Sequence, residues 1–300
     1  MRAARFSRFG GPEVLEIVNV PEPHPGPGQV RIAVRAAGVS PSDWKKRKGL
    51  MDQELPQTLG YEAAGVVDEL GDGVTDVTVG DPVFGVCAEA AAQAELAVLS
   101  AYAPIPPSLD FPAAAALPAT IETAMRALDQ LGVARGSTLL INGASGSVGS
   151  AAVQFAVARG ARVIGTAGAA NHDYLRSLGA EPVTYGEGLT GWVRALAPKG
   201  VDLALDVAGS GILPELIELA GGAEHVLTVA DFAGAHKYAV RFSRGDSGRA
   251  LHALAEIGEL IESGRFEPQA VRTFPLAEIA EAHRVSEQGK GRGKLVLLIG

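Results

Sequence analysis

The run Leu139-Leu140-Ile141-Asn142, followed by Gly143-Ala144-Ser145-Gly146-Ser147-Val148-Gly149, limits the folds open to this chain more than any other segment. A short apolar run enters a loop of glycines and small residues, and a helix-forming segment, 148–158, leaves it. Glycines let the backbone turn tightly and approach a phosphate, and a helix start offers N–H groups at the positive end of its dipole. This order predicts a dinucleotide pyrophosphate site. A tight strand-to-helix turn holding no ligand is the other reading of the same residues.

The following segments keep that rhythm. Strands are expected at 138–141, 162–166, 182–185, 201–207 and 225–229, with helices at 148–158, 171–178, 190–196 and 213–220 between them. Gly160 and Gly179 stand where helix C-caps belong. Alternating strands and helices call for a parallel sheet covered on both faces. Before Pro112 the texture differs. β-Branched runs at 14–20, 29–36 and 63–70 are separated by the turn formers of 21–28, 71–73 and 80–82, which predicts a small barrel-like β domain. Residues 113–131 read as one helix. Beyond a helix at 251–263, strands at 269–274 and 294–299 can return to the first domain.

Composition narrows the class. Three hundred residues with 47% hydrophobic content supply two cores, and a net charge of −8 argues against a surface built for nucleic acid or anionic membrane. The dense basic run Lys45-Lys46-Arg47-Lys48 is too short to reverse that balance. One cysteine, Cys87, excludes an intrachain disulfide and suits a reducing compartment. No apolar run reaches the roughly 18 residues of a bilayer span, and no signal-like stretch follows the first residues. A cytoplasmic enzyme acting on a small molecule is expected.

The end of the second strand bears on the cofactor. NAD-preferring sites place a carboxylate there for the ribose 2′-hydroxyl. This chain has Thr166-Ala167-Gly168-Ala169-Ala170-Asn171. The missing acid removes repulsion of a 2′-phosphate and favours NADPH, with no arginine or lysine at that strand end to complete the argument. Thr166 and Ala167 are candidate contacts. Tyr185, expected to close the third strand, is a candidate phosphate ligand or an ordinary strand-end tyrosine.

Four segments in this order, Gly38–Lys45, Leu59–Val67, Thr120–Ala124 and the glycine loop, resemble the medium-chain dehydrogenase/reductase superfamily, and most of all its zinc-independent quinone oxidoreductases and enone (2-alkenal) reductases. The resemblance covers nearly the whole chain. It implies an α/β protein with a GroES-like β-barrel domain built from both chain ends, residues 1–116 and 262–300. A Rossmann domain, a doubly wound parallel sheet, would occupy residues 117–261. It further implies homodimers and an active site in a cleft between the domains.

Zinc enzymes of that superfamily carry cysteine and histidine where this chain has Ser40 and Tyr61, the latter in Gly60-Tyr61-Glu62. Hydroxyl and phenol are poor replacements for thiolate and imidazole, so no catalytic metal is expected. Without a Lewis acid, alcohol oxidation is disfavoured, whereas hydride transfer to a quinone or to the β-carbon of an α,β-unsaturated carbonyl needs only orientation and donors near the carbonyl oxygen. The resemblance implies Lys45 beside cofactor and substrate, where its ammonium would stabilise an enolate; a solvated lysine is the alternative. Tyr61 is a pocket wall or a donor. Asp43 reads as a loop hydrogen-bonding group, and Ser40 replaces the asparagine of many relatives.

The resemblance also implies that Gly146, Ser147 and Val148 contact the diphosphate. Thr120, Ala208 and Gly209 would lie near the nicotinamide, and Lys290 and Gly291 would reach the cofactor from the tail; an N-cap for a helix beginning near Glu122 is the other reading of Thr120, and a flexible Gly-Lys-Gly-Arg-Gly turn that of Lys290 and Gly291. A non-catalytic NADPH-binding sensor or structural protein is the alternative function.

Overall fold

The computed structural model describes residues 1–245, 248–289 and 292–300. It separates into two compact units: Met1–Ala119 with Leu254–Glu262 and Glu267–Gly300, and Thr120–Ala253 with Ser263–Phe266. The front of the chain forms β1 (Arg2–Phe6), β2 (Glu16–Asn19), β3 (Val30–Val39), helix α1 (Pro41–Arg47), β4 (Gln57–Thr58), β5 (Glu62–Leu70), β6 (Pro82–Cys87), β7 (Leu96–Pro104) and α2 (Phe111–Ala115). Then follow α3 (Pro118–Leu131), β8 (Thr138–Asn142), α4 (Ser147–Ala158), β9 (Arg162–Thr166), α5 (His172–Ser177), β10 (Glu181–Val183), α6 (Leu189–Leu196), β11 (Leu203–Asp206) and α7 (Leu213–Ala220). The chain ends with β12 (Val226–Thr228), α8 (Phe232–Tyr238), β13 (Arg241–Phe242), α9 (His252–Glu262), β14 (Val271–Pro275), α10 (Ile279–Gln288) and β15 (Lys294–Leu298).

The first unit is the GroES-like domain. Its larger sheet runs β14-β15-β3-β5-β6-β7, and β3 also pairs with β7, so four strands close on themselves. The tail enters through β15, antiparallel to β3. Inward residues such as Val30, Ile32, Val34, Ala63, Val67, Val83 and Leu99 fill the barrel. A second cluster joins Phe6, Val14, Val39 and Leu59 to Phe274, Ile279, Ala282 and Leu297, which explains why both chain ends are needed to make this core. Each buried aliphatic side chain contributes about 2 kcal/mol of transfer free energy.

The second unit is a Rossmann fold. Its sheet runs β10-β9-β8-β11-β12-β13 with every neighbouring pair parallel. Strand order reverses between β8 and β11, the switch point at which open α/β sheets bind ligands beyond the strand ends. Leu139, Leu140, Ile141, Val163, Ile164, Ala204, Leu205, Val226 and Leu227 are all buried, as a sheet covered on both faces requires.

Three expectations shift. The helix expected over 113–131 is two helices, because Pro118 lacks an N–H and crowds the residue before it; Asp110 caps the first through Ala113 N, 2.9 Å from its Oδ1. The third Rossmann strand ends at Val183, where pairing with Thr166 stops, and Tyr185 lies in the loop that Gly186 and Gly188 turn at φ of +102° and +96°. Most of α9, from Leu254, groups with the barrel unit rather than with the nucleotide domain as expected to residue 261. Among the described residues no helix is long and apolar enough to cross a membrane.

Candidate active site

In the Rossmann unit the glycine loop is built as a cradle. Gly143 turns at φ +82°, and a Cβ there would stand 2.8 Å from the Ala208 Cβ. A Cβ on Gly149 would overlap Gly143 O and lie 2.7 Å from Ala144 Cα. Gly165 is equally constrained, 2.7 Å from the Ala144 Cβ. These glycines let β8, β9 and α4 converge. Gly146 is the exposed N-cap of α4, and Ser147 and Val148 form its half-buried first turn, where the helix dipole favours an anion.

Behind the cradle lies a polar ladder. Asn142, Thr166, Asp206 and Thr228 each close one of four adjacent strands, and all are buried. Asn142 Nδ2 donates to Asp206 Oδ1 at 2.9 Å across the switch point, and Thr166 Oγ1 donates to Asn142 Oδ1 at 2.8 Å. Thr228 Oγ1 donates to Asp206 Oδ2 at 2.7 Å. The ladder orders the loops above it. Gly143 N donates to Thr166 Oγ1, Ala208 N and Gly209 N to Asp206 Oδ1, and Ala230 N and Asp231 N to Thr228 Oγ1.

Thr166 is wholly buried, and its hydroxyl donates to Asn142 Oδ1 and accepts Gly143 N, so it shapes the loop. Ala167 is buried too, with N–H on Val183 O and its carbonyl near His172 Nε2. Tyr185 is 60% exposed and its hydroxyl oxygen lies 3.7 Å from where a Cβ on Gly168 would sit, beside the loop after β9. Thr120 lies within α3 rather than at its N-cap and is buried, with no hydrogen-bond partner for Oγ1 among the described residues. An orphaned hydroxyl there and a cradle that Cβ atoms would fill both fit a dinucleotide. Lys290 and Gly291 lie outside the described residues.

Lys45 and Tyr61 belong to the barrel unit. Lys45 is half-buried in α1, its ammonium 5.8 Å from the Trp44 ring centroid. Tyr61, half-buried, follows Gly60 at φ +95°. Asp43 joins their segments: its Oδ2 accepts Ser40 N at 2.7 Å and its Oδ1 accepts Gly60 N at 3.0 Å. Burial raises its carboxyl to about 6, against the pull of those two N–H bonds and of Lys294.

Beside it, Lys294 Nζ lies 2.6 Å from Glu62 Oε1 and 2.8 Å from Ser40 Oγ, and Glu62 Oε2 accepts Ala119 N at 2.7 Å. α1 is braced from behind by Arg47, wholly buried, which bonds Gly10 O, His283 Nδ1 at 3.1 Å and Glu287. Sequence reasoning missed Lys294, Asp206, Asn142, Thr228 and Arg47 as site builders. The readable signal was a polar residue at the end of each apolar strand run. Cys87 is buried, and burial raises its thiol to about 11, as an inert core residue.

Comparison with known proteins places this arrangement. Residues 26–103 match the alcohol dehydrogenase GroES-like domain and residues 178–297 match a family described as zinc-binding dehydrogenase. The quinone oxidoreductase of Rattus norvegicus is 32% identical, over all of this chain and 98% of that protein. A 2-methylene-furan-3-one reductase of Solanum lycopersicum is 30% identical, over 99% of this chain and 79% of the relative. The spectinabilin polyketide synthase protein NorB of Streptomyces orinoci is 36% identical over 98% of this chain, which spans 14% of NorB's length.

Among solved structures, the quinone oxidoreductase of Coxiella burnetii superposes with a TM-score of 0.87 at 30% identity, over 100% of this chain and 99% of the other. A mycobacterial protein complexed with NADPH gives 0.81 at 29%, over 99% and 100%. Zinc does not fit the residues present. Ser40 and Tyr61 supply no thiolate or imidazole, Glu62 is already paired with an ammonium, and no group of three or more His, Cys, Asp or Glu gathers among the described residues.

Proposed function

Because the chain belongs to the quinone oxidoreductase and enone reductase branch of the medium-chain dehydrogenase/reductase superfamily, which binds NAD(P), we propose that it is an NADPH-dependent, zinc-independent reductase of quinones or of the activated C=C bond of α,β-unsaturated carbonyls. The observation that carries the reading is the glycine cradle over the buried strand-end ladder, in a chain whose other unit holds an ammonium where a metal would need ligands. NADPH supplies the hydride when bound. Gly146, Ser147 and Val148 would hold its diphosphate, and Thr120, Ala208 and Gly209 its nicotinamide side.

Tyr185, exposed beside Gly168, would meet a ribose phosphate, and the absence of a carboxylate at the end of β9 favours that phosphate. Lys45 would place a positive charge where the carbonyl oxygen gains electron density, and Tyr61 would line the same pocket. Homodimers and a cytoplasmic setting belong to the same reading; the buried lone thiol suits a reducing compartment.

The test is turnover of NADPH and NADH by purified protein with quinones, 2-alkenals and cyclic enones. NADPH consumption with at least one acceptor, and slower consumption of NADH, is expected. Cofactor binding without turnover of any acceptor points instead to a non-catalytic NADPH-binding protein.

A further inference from the structure

The ion pair of Lys294 and Glu62 is more than a strut. Glu62 is 1% exposed, and Gly38 leaves it room, since a Cβ there would overlap the carboxylate. With Ala119 N on one oxygen and the ammonium on the other, the glutamate is satisfied. Lys294 nevertheless spends a second bond on the neutral Ser40 hydroxyl, 2.8 Å away. An ammonium has no lone pair, so Ser40 Oγ is the acceptor and its own proton points elsewhere. The acceptor offered to that proton in the cluster is Glu62 Oε1 at 3.5 Å. That is the outer limit of a hydrogen bond, and the same oxygen already takes the ammonium at 2.6 Å.

Among the described residues Ser40 thus has a hydroxyl proton with no good internal partner, on an oxygen polarised by a buried cation. Its backbone is held by the Ser40 N bond to Asp43. Unlike Lys294 and Glu62, it is only partly buried.

We infer that Ser40 donates a hydrogen bond to the carbonyl oxygen of the substrate, with Lys294 as the cation that strengthens the donor and Glu62 as the anchor that holds the cation. The inference rests on the reductase reading above. Hydride arriving at the β-carbon forms a C–H bond there, the π electrons shift toward oxygen, and the negative charge collects at the atom Ser40 faces. The α-carbon then takes its proton from solvent. Ser40 is a catalytic residue in this scheme; Lys294 and Glu62 are positioning residues. A donor aimed at developing charge is worth about 10²-fold or more in rate.

Wild-type protein is assayed first on the acceptor panel. No turnover there overturns the reductase reading itself. Given turnover, Ser40→Ala should lower kcat about 100-fold with NADPH affinity unchanged, and should lower the melting temperature slightly because the Lys294 ammonium loses an acceptor. Ser40→Thr, which keeps the hydroxyl, should recover most of the rate. The paired change Lys294→Met with Glu62→Gln removes both charges together, so neither is left buried alone. It should cost about tenfold while Ser40 is present and add little to Ser40→Ala, because the two act through one hydroxyl. A Ser40→Ala rate within twofold of wild type, a Ser40→Thr rate as low as that of Ser40→Ala, or independent effects in the combined variant overturns the assignment and leaves the reductase reading standing.

Discussion

Asp206 is the residue on which the strand-end ladder turns, and its removal has a calculable cost. The carboxylate accepts from Asn142 Nδ2, Ala208 N and Gly209 N on one oxygen and from Thr228 Oγ1 on the other. Asp206→Ala strands four donors. Ala208 is exposed and Gly209 half-buried, so water reaches those two, whereas Asn142 and Thr228 are buried. A buried donor without a partner costs about 1–3 kcal/mol, and loss of the costly buried charge offsets part of this, which leaves about 3–4 kcal/mol of destabilisation.

Asp206→Asn is milder. Its amide oxygen can keep the three donors, but its NH₂ then faces Thr228 Oγ1, which already accepts Ala230 N and Asp231 N, at a cost of about 2 kcal/mol. The assay is urea unfolding in a Trp44→Phe background, where Trp192 on α6 is the remaining tryptophan and reports the Rossmann unit. NADPH affinity should fall about tenfold in the alanine variant as the loops over the ladder loosen. Destabilisation below about 1 kcal/mol by Asp206→Ala, or a larger loss from asparagine than from alanine, refutes the reasoning.

Gly149→Ala should abolish measurable NADPH binding and cost about 1–3 kcal/mol, because the new Cβ meets backbone atoms that cannot yield. Gly146→Ala, whose nearest neighbour would be 3.4 Å away, should fold normally and weaken binding alone, as thermal denaturation and cofactor fluorescence will read. Lys45→Ala should lower kcat/KM by about 10–100-fold while changing stability by less than about 1 kcal/mol; an unchanged rate removes Lys45 from the mechanism.

The pH dependence of stability has two opposed contributors. His283 is held neutral, down to about 3, by burial and then by the Arg47 cation, with Glu287 opposing. The unfolded chain therefore takes up a proton from 6.5 downward that the folded chain refuses, and stability falls with pH in that window. Asp43, raised to about 6 from 3.8, takes its proton earlier when folded, so its contribution rises as pH drops from 6 toward 3.8. Between pH 7 and 5 wild type should lose about 2 kcal/mol relative to His283→Gln, read from urea midpoints. Equal pH responses of the two proteins would contradict the His283 assignment.

The Rossmann unit was legible because its determinants are local. The strand at 162–166 and the helix at 213–220 stand where the run patterns predict them, and the glycine loop sits between strand and helix. The barrel was less legible. Its closure depends on β3 pairing with β7 and on β15 arriving from the far end of the chain, contacts that no local pattern encodes. α10 has too few apolar positions to give a helical pattern, and nothing local marks Arg47, in its basic run, or His283 as wholly buried, since each meets a partner 236 residues away. The same distance hid the site chemistry. Lys294 in a terminal Gly-Lys-Leu-Val run gives no hint of Ser40 and Glu62. The apolar pattern alone extends the third strand to Tyr185, whereas Gly186 and Gly188, both at positive φ, turn the chain and release it into a loop.

One measurement bears most directly on the proposal of zinc-independent hydride transfer. Purified protein, stripped with a strong chelator, is incubated with NADPH carrying deuterium at the transferable C4 position and with a cyclic enone, and the product is examined by mass spectrometry. The account predicts a saturated ketone bearing one deuterium at its β-carbon, formed at the same rate before and after chelation. Reduced product without the label, activity that returns only with added zinc, or bound NADPH with no product would contradict it.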